Sequence, residues 1–395
     1  MRTCASIART GALLLLAQVC RGADPLDNWS QQSFGTNIHL TSIAFGGGQF
    51  VAAGHRYDTN RTGLVITSPD GLNWTQGNSE MIASLRAVTY GNGQFVAVGD
   101  QGTTILSSDG TNWTKTGSGT SNNLARVACG NDQYIAVGFG YAQWGPAQWG
   151  VTSRDGSNWT SLNLDSLPSP KWITGMGYGA GQFIMLRNSG IFASTDGTSW
   201  TDRFLANGAS TYSDVAFGNG RFVVVGSRAD IGGGGNIATS PDAITWSAGD
   251  IGDRNLSGIA FGSSRFVAVG GYDGSLGGFI VSSPDGVDWR SHPSGTQYLL
   301  EDIAYGNGRF VAVGNGNAIL STPPLIMLDP MPDLANSQPQ FKISATPGQS
   351  CRIQASTDLT NWLTLTHILC ADGVGQFVDL SATNFSQRFY QAVSP

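Results

Sequence analysis

The sequence predicts an all-β chain: a seven-bladed β-propeller closed by its own N-terminal strand, followed by a small C-terminal β-sandwich-like domain. Glycine is abundant and charge is scarce, with 55 glycines among 395 residues and only 12% Asp, Glu, Lys and Arg. One phrase repeats along the chain, its opening element in seven copies and its closing element in six. A tryptophan, Trp29, stands ahead of the first copy and matches the one missing after the last.

Glycine without a three-residue period points to many tight turns between short strands. The acids agree, because the glutamates are Glu80 and Glu301 and the rest are Asp, while lysine is confined to Lys115, Lys171 and Lys342. Asp suits turns, whereas Glu and Lys suit helices.

The chain opens with Arg2 and Arg9, an apolar run over residues 11–17, and small residues around Cys20-Arg21-Gly22. That layout is a signal peptide and is too short for a membrane span. Residues 1–22 are therefore expected to be removed after Gly22, leaving a secreted, cell-surface or periplasmic protein. Losing Arg2, Arg9 and Arg21 and no acid moves the formal net charge from −6 to −9. Such a surface repels nucleic acid and anionic lipid, so neither nucleic-acid binding nor membrane insertion is expected.

The propeller is expected over residues 23–322. Its first copy reads Ile43-Ala44-Phe45-Gly46, then Gln49-Phe50-Val51-Ala52-Ala53-Gly54, then Ser68-Pro69-Asp70-Gly71-Leu72-Asn73-Trp74. The opening element returns at residues 88–91, 127–130, 176–179, 215–218, 259–262 and 303–306. Similarity at a fixed period signals an array of like units. The closing element returns with Asp109 and Trp113, Asp155 and Trp159, Asp196 and Trp200, Asp242 and Trp246, and Asp285 and Trp289. After Ser321 the chain runs instead into Pro323-Pro324, which cannot continue a ladder. The segment around Trp29 is the economical replacement: an outer strand from the N-terminus laid on the last three strands, which leaves no free sheet edge.

Each recurrent residue has a mechanical role. Runs such as Phe95-Val96-Ala97-Val98 are apolar on both faces, as in sheets packed between neighbours. Small residues at Ala44, Thr89, Ala128, Gly177, Ala216, Ala260 and Ala304 mark the innermost strands, where sheets converge. In the Ser-x-Asp-Gly turns, Asp70, Asp109, Asp155, Asp196, Asp242 and Asp285 can accept backbone amides while the next residue takes a positive φ. Ala243 holds that next place in one copy, so its turn is expected to differ or to be strained.

The Ser-x-Asp-Gly-x-x-Trp phrase resembles the Asp-box of neuraminidase-type propellers, and residues 24–322 resemble secreted bacterial BNR-like repeat proteins. The phrase departs from an Asp-box by lacking one residue between Asp and Gly. Asp-boxes are structural in that family, so the resemblance implies the fold and not the sialidase activity. A sialidase would also need an arginine triad, a Tyr–Glu pair and an Arg-Ile-Pro phrase, and no Arg-Ile-Pro occurs.

Residues 323–340 form a Pro-containing linker, and residues 341–395 a small β domain with strands over 341–346, 350–356, 362–369, 376–380 and 388–393. The stretch from Cys351 to Trp362, ending at Arg388-Phe389-Tyr390, resembles a terminal module of secreted proteins of verrucomicrobial type. Cys351 and Cys370 are the candidate disulfide, in keeping with export. Asp358 to Trp362 echoes the propeller turn, but the Phe-Val-Ala-Val-Gly strand of an eighth blade is absent.

No catalytic set, metal site or cofactor is assigned. His39, His55, His292 and His367 lack metal-ligand spacing. Loops between second and third strands vary in length over a fixed framework, and variable loops on rigid scaffolds carry function. They bear His55, Arg56, Tyr57 and Asp58; Tyr141, Trp144 and Trp149; Arg228 and Asp230; and Tyr272 and Asp273. Exposed rings beside Asp, Arg and Gln suit an extracellular glycan or protein. The expected function is a monomeric, non-enzymatic recognition module. The alternatives are an Asp-dependent glycoside hydrolase or lyase, and a scaffold for assembling exported proteins.

Overall fold

A computed structural model describes residues 3–8, 16–20, 24–78, 82–142, 145–164, 167, 173–187, 190–203, 210–228, 235–252, 255–272, 277–331, 339–345, 348–358, 360–382 and 387–393. The chain divides into two compact units: residues 30–306 with 310–321, and residues 1–29, 307–309 and 322–395.

Among its described residues the larger unit is built of β-strands and turns, with one short 3-10 turn at Asp100–Gly102. Its strands form four-stranded antiparallel sheets in simple sequence order. The first runs Ile38–Gly46, Gln49–Arg56, Gly63–Ser68, Thr75–Gln76. Equivalent sheets follow, with inner strands Leu85–Gly91, Leu124–Gly130, Ile173–Gly179, Ser210–Gly218 and Leu256–Gly262. In the last sheet Leu300–Gly306, Arg309–Gly314 and Ile319–Ser321 are followed by Ser30–Gln31, with Ser30 opposite Ser321 and Gln31 opposite Leu320. Gln32 adds one more bond, its amide donating to the Ile319 carbonyl at 2.7 Å.

Burial explains this order. The second strand of each sheet is buried on both faces: Phe50, Val51, Ala52 and Ala53 are fully enclosed, as are Phe266, Val267, Ala268 and Val269. Each cluster mixes residues of adjacent sheets; Ile38, Leu40 and Phe50 of the first pack with Val311, Val313 and Ile319 of the last. Inner strands of successive sheets touch, and Leu300–Gly306 touches Ile38–Gly46.

The turns between third and fourth strands share one network. In the second sheet the Asp109 carboxylate accepts the amides of Thr111 and Asn112 at 2.8 and 2.7 Å and the hydroxyl of Ser107 at 2.9 Å. Asp70, Asp155, Asp196, Asp242 and Asp285 do the same in their sheets. These amides hold the Asp70 carboxyl down at about 2, although partial burial opposes them. Ala243 takes φ 60 and is fully buried, so the turn keeps its shape and the alanine bears the strain.

The smaller unit holds a five-stranded sheet, in the order Leu16–Cys20, Thr3–Ala8, Gln387–Val393, Gln349–Ser356, Leu363–Cys370, and a three-stranded sheet of Met327–Pro330, Gln340–Ser344 and Val374–Val378. Two expectations change here. Part of the stretch read as a linker is a strand, because residues 327–330 pair with 341–344. Cys351 and Cys370 are not bonded; they are free thiols with Sγ atoms 3.9 Å apart in the core beside Phe341 and Tyr390. Asp358 repeats the propeller turn, accepting the amides of Thr360 and Asn361 at 2.9 and 2.8 Å.

Candidate functional site

The inner strands share a frame of two large apolar residues around two variable ones, x-x, as in Leu40-Thr41-Ser42-Ile43, Leu124-Ala125-Arg126-Val127 and Leu300-Glu301-Asp302-Ile303. At the first x the register shifts by one residue in at least six strands, at Thr41, Arg86, Ala125, Thr174, Ser213 and Ser257. A bulge re-aims side chains and bends the strand. Most residues at the two x positions therefore line a central channel of about 310 Å³, where Arg126, Asp214 and Asp302 converge from separate sheets.

The acids at the second x also tie sheets together. Asp214 accepts the amides of Val215 and, from the next sheet, Ile259, both at 2.8 Å. Asp302 accepts Ile303 at 2.7 Å and Ile43 of the first sheet at 2.8 Å. Where this place is Gly175 or Gly258, an added Cβ would lie 2.4 Å from the Ser213 carbonyl or 2.7 Å from the Asp302 Cα.

Burial raises both carboxyls, and the Asp302 charge raises Asp214 further; Arg126 opposes the rise, while enclosure works against its own charge. A raised acid contributes stability that is complete below its unfolded value and lost as pH rises through its folded value. Melting temperature is therefore expected to be higher at pH 5 than at pH 8, and Asp214→Asn to shrink the difference. An unchanged pH dependence in that variant would overturn the assignment. The turn carboxylates act with the opposite sign, losing their contribution only below about pH 4.

At the rim Thr41, Arg86 and Glu301 line a second cavity of about 350 Å³, together with His39, His55, Tyr57 and Arg61. His39 and His55 are cross-strand neighbours with ring centroids 5.0 Å apart. His39 Nε2 lies 3.3 Å from Glu301, and Tyr57 stacks on the His39 ring at 5.9 Å. His55 is 5% exposed; its Nδ1 meets Ser84 Oγ at 3.1 Å, while its Nε2 is enclosed without a partner. Burial pushes His55 below the ordinary histidine value, and the charges of His39 and Arg61 push the same way. Arg86 pairs with Asp100.

Of the loop residues singled out in the sequence, this site gathers His55 and Tyr57. Asp58 builds the turn, accepting the amides of Asn60 and Thr62 at 3.2 and 2.9 Å, and its carbonyl accepts that of Arg61, which sits at φ 48. Arg56 turns to Gln76 at 2.8 Å. Tyr141 and Trp149 are not in a loop: the hairpin of Gln133–Ala142 and Gly145–Ser153 extends the ladder, with Trp149 opposite Gly138. Trp149 is half-buried with its indole N–H enclosed, so it is not a free platform. Arg228 and Tyr272 end strands, and Trp144, Asp230 and Asp273 lie outside the described residues.

His39, Arg61, Arg86, Arg126, Asp214, Glu301 and Asp302 were missed. One signal was available: charged residues at the x positions of a frame otherwise filled by Ser, Thr, Ala and Gly. The turn at Gly47-Gly48 also places His39 within one residue of His55 across the hairpin.

No family model matches the chain, and no curated protein matches it. Among solved structures the chain is similar to YCF48 from Cyanidioschyzon merolae, at 18% identity and TM-score 0.54, over 75% of this chain and 98% of that one. A structure of YCF48 bound to D1 peptide aligns at 14% identity and TM-score 0.55, over 74% and 96%. A streptogramin B lyase aligns at 11% and 0.59 over 75% and 97%, and the WD40 β-propeller domain of Doa1 at 11% and 0.53 over 75% and 96%. Identities this low speak to architecture alone: the chain has the β-propeller fold.

Proposed function

We propose that the chain is a secreted, non-enzymatic recognition module: an Asp-box-like, seven-bladed ring closed by its N-terminal strand, which binds an extracellular glycan or protein at the rim around Tyr57. The observation that carries this reading is the rim cavity, where an exposed ring, two guanidinium groups, a carboxylate and an unsatisfied imidazole nitrogen meet on three sheets. Such a mixture of flat apolar surface and directed polar groups is how concave sites fix a ligand's orientation. The similar propeller solved with D1 peptide shows a chain of this fold holding a ligand. Removal of residues 1–22 accords with the leader pattern, and the acidic mature chain disfavours nucleic acid.

Glycan and peptide arrays probed with the exported chain test the reading. Tyr57 is 50% exposed, so Tyr57→Ala leaves the fold intact and is expected to weaken binding at least about tenfold, the loss of a ring contact and its hydrogen-bond handle. Equal binding by wild type and variant would sink the proposal.

A further inference from the structure

We propose that the rim cavity holds a carboxylate-bearing sugar, a uronic acid residue, with its carboxylate on Arg61 and His55 and its ring face on Tyr57. The inference rests on the recognition reading above and narrows it to one ligand class.

The charges in the cavity are unevenly paired. His39 is matched by Glu301 and Arg86 by Asp100, but Arg61 has no ion-pair partner among the described residues. Its guanidinium is exposed and near enough to His55 to depress that ring's proton affinity. A planar fork beside an imidazole N–H is suited to a carboxylate, which accepts both donors at once.

His55 supplies the second argument. The Ser84 hydroxyl occupies Nδ1, and Nε2 is enclosed with nothing to bond. An enclosed polar atom without a partner costs free energy until a ligand supplies one. In the tautomer whose Nδ1 accepts from Ser84, and equally in the protonated ring, Nε2–H is a donor, so an acceptor is the group that completes it.

Tyr57 and Glu301 separate a sugar from an acidic peptide. The half-exposed Tyr57 ring, backed by His39, is a flat platform for the C–H face of a pyranose. Glu301 accepts hydroxyl groups and repels a second anion. A uronate offers one carboxylate to the cationic side and hydroxyls to Glu301, whereas an acidic peptide would crowd further carboxylates against it. The volume of about 350 Å³ is at the small end for ligand pockets and suits a single ring.

The groups facing His55 are His39, Tyr57 and Arg61 of its own sheet, Arg86 and Asp100 of the second, and Glu301 of the last. Burial keeps its ring neutral near pH 7. A bound anion raises its proton affinity, so binding is expected to take up protons and to strengthen as pH falls from 8 to 5.5, where the uronate stays ionised.

The test titrates the purified chain with D-galacturonate, D-glucuronate, D-glucose, glutarate and a Glu-rich peptide, read by calorimetry and by the His55 imidazole resonances. A uronate that saturates and moves those resonances, with glucose and glutarate at least about tenfold weaker and Arg61→Ala weakening uronate about tenfold, supports the proposal. Glucose binding as tightly as uronate, or the peptide binding while uronates do not, overturns the acidic-sugar assignment and leaves the recognition reading standing. Binding of none of these, with arrays also negative, overturns both.

Discussion

Asp302→Ala is expected to lower unfolding free energy by about 2–4 kcal/mol, the loss of two charge-accepted amide bonds less the repulsion relieved at Asp214. The carboxylate stands where the last sheet meets the first, taking the Ile303 amide at 2.7 Å and the Ile43 amide at 2.8 Å. No neighbouring side chain replaces it, because the adjoining position in the first sheet is Ser42, whose Oγ already accepts the Val88 amide at 3.2 Å. Asp302→Asn keeps one acceptor oxygen and is expected to lose about half as much. Urea unfolding of the two variants beside wild type measures both values. A change below about 0.5 kcal/mol in the alanine variant would show that the seam is held by packing alone.

Deleting residues 24–32 from the exported chain is expected to cost about 3–6 kcal/mol and to promote association. The segment carries the fully buried Leu26, worth about 2–3 kcal/mol, and the strand that completes the last sheet. Several hydrogen bonds go with it, at about 1 kcal/mol each. Among them are the Gln32 amide to Ile319, the Ser30 hydroxyl to the Ser321 carbonyl at 3.2 Å and the Gln31 amide group to the Asn317 carbonyl at 3.1 Å. The strand Ile319–Ser321 would then present an open, apolar edge of the kind that pairs between molecules. Calorimetry and size-exclusion chromatography read the two effects. A deletion variant with unchanged melting temperature and elution would refute closure by this strand.

The same periodicity that made the sheets legible hid the site. A strand alternates with period two, so Phe50 to Gly54 and its six relatives reveal a sheet wherever they occur. That rule assigns Thr41, Arg86 and Glu301 to ordinary faces. The extra residue at each bulge breaks the alternation and turns the polar side chains towards the channel. Loop length variation pointed to the end of the hairpin that carries His55 and Tyr57, which line the rim cavity. It misjudged Trp149, because the longer connection in the third sheet continues as paired strand.

By itself the sequence determined the all-β class, the four-strand unit, the turn chemistry at each Asp and the N-terminal residues that pair with the last sheet. These follow from local rules repeated along the chain: turn residues, apolar alternation and a fixed period. Only the tertiary structure decided that His39, His55, Tyr57, Arg61, Arg86 and Glu301 share one cavity, and that Arg126, Asp214 and Asp302 share one channel. Those residues lie on different sheets, and nothing local to any of them encodes the distance to the others. Convergence of inner strands brings them together, and burial then shifts the proton affinities of His55, Arg126, Asp214 and Asp302.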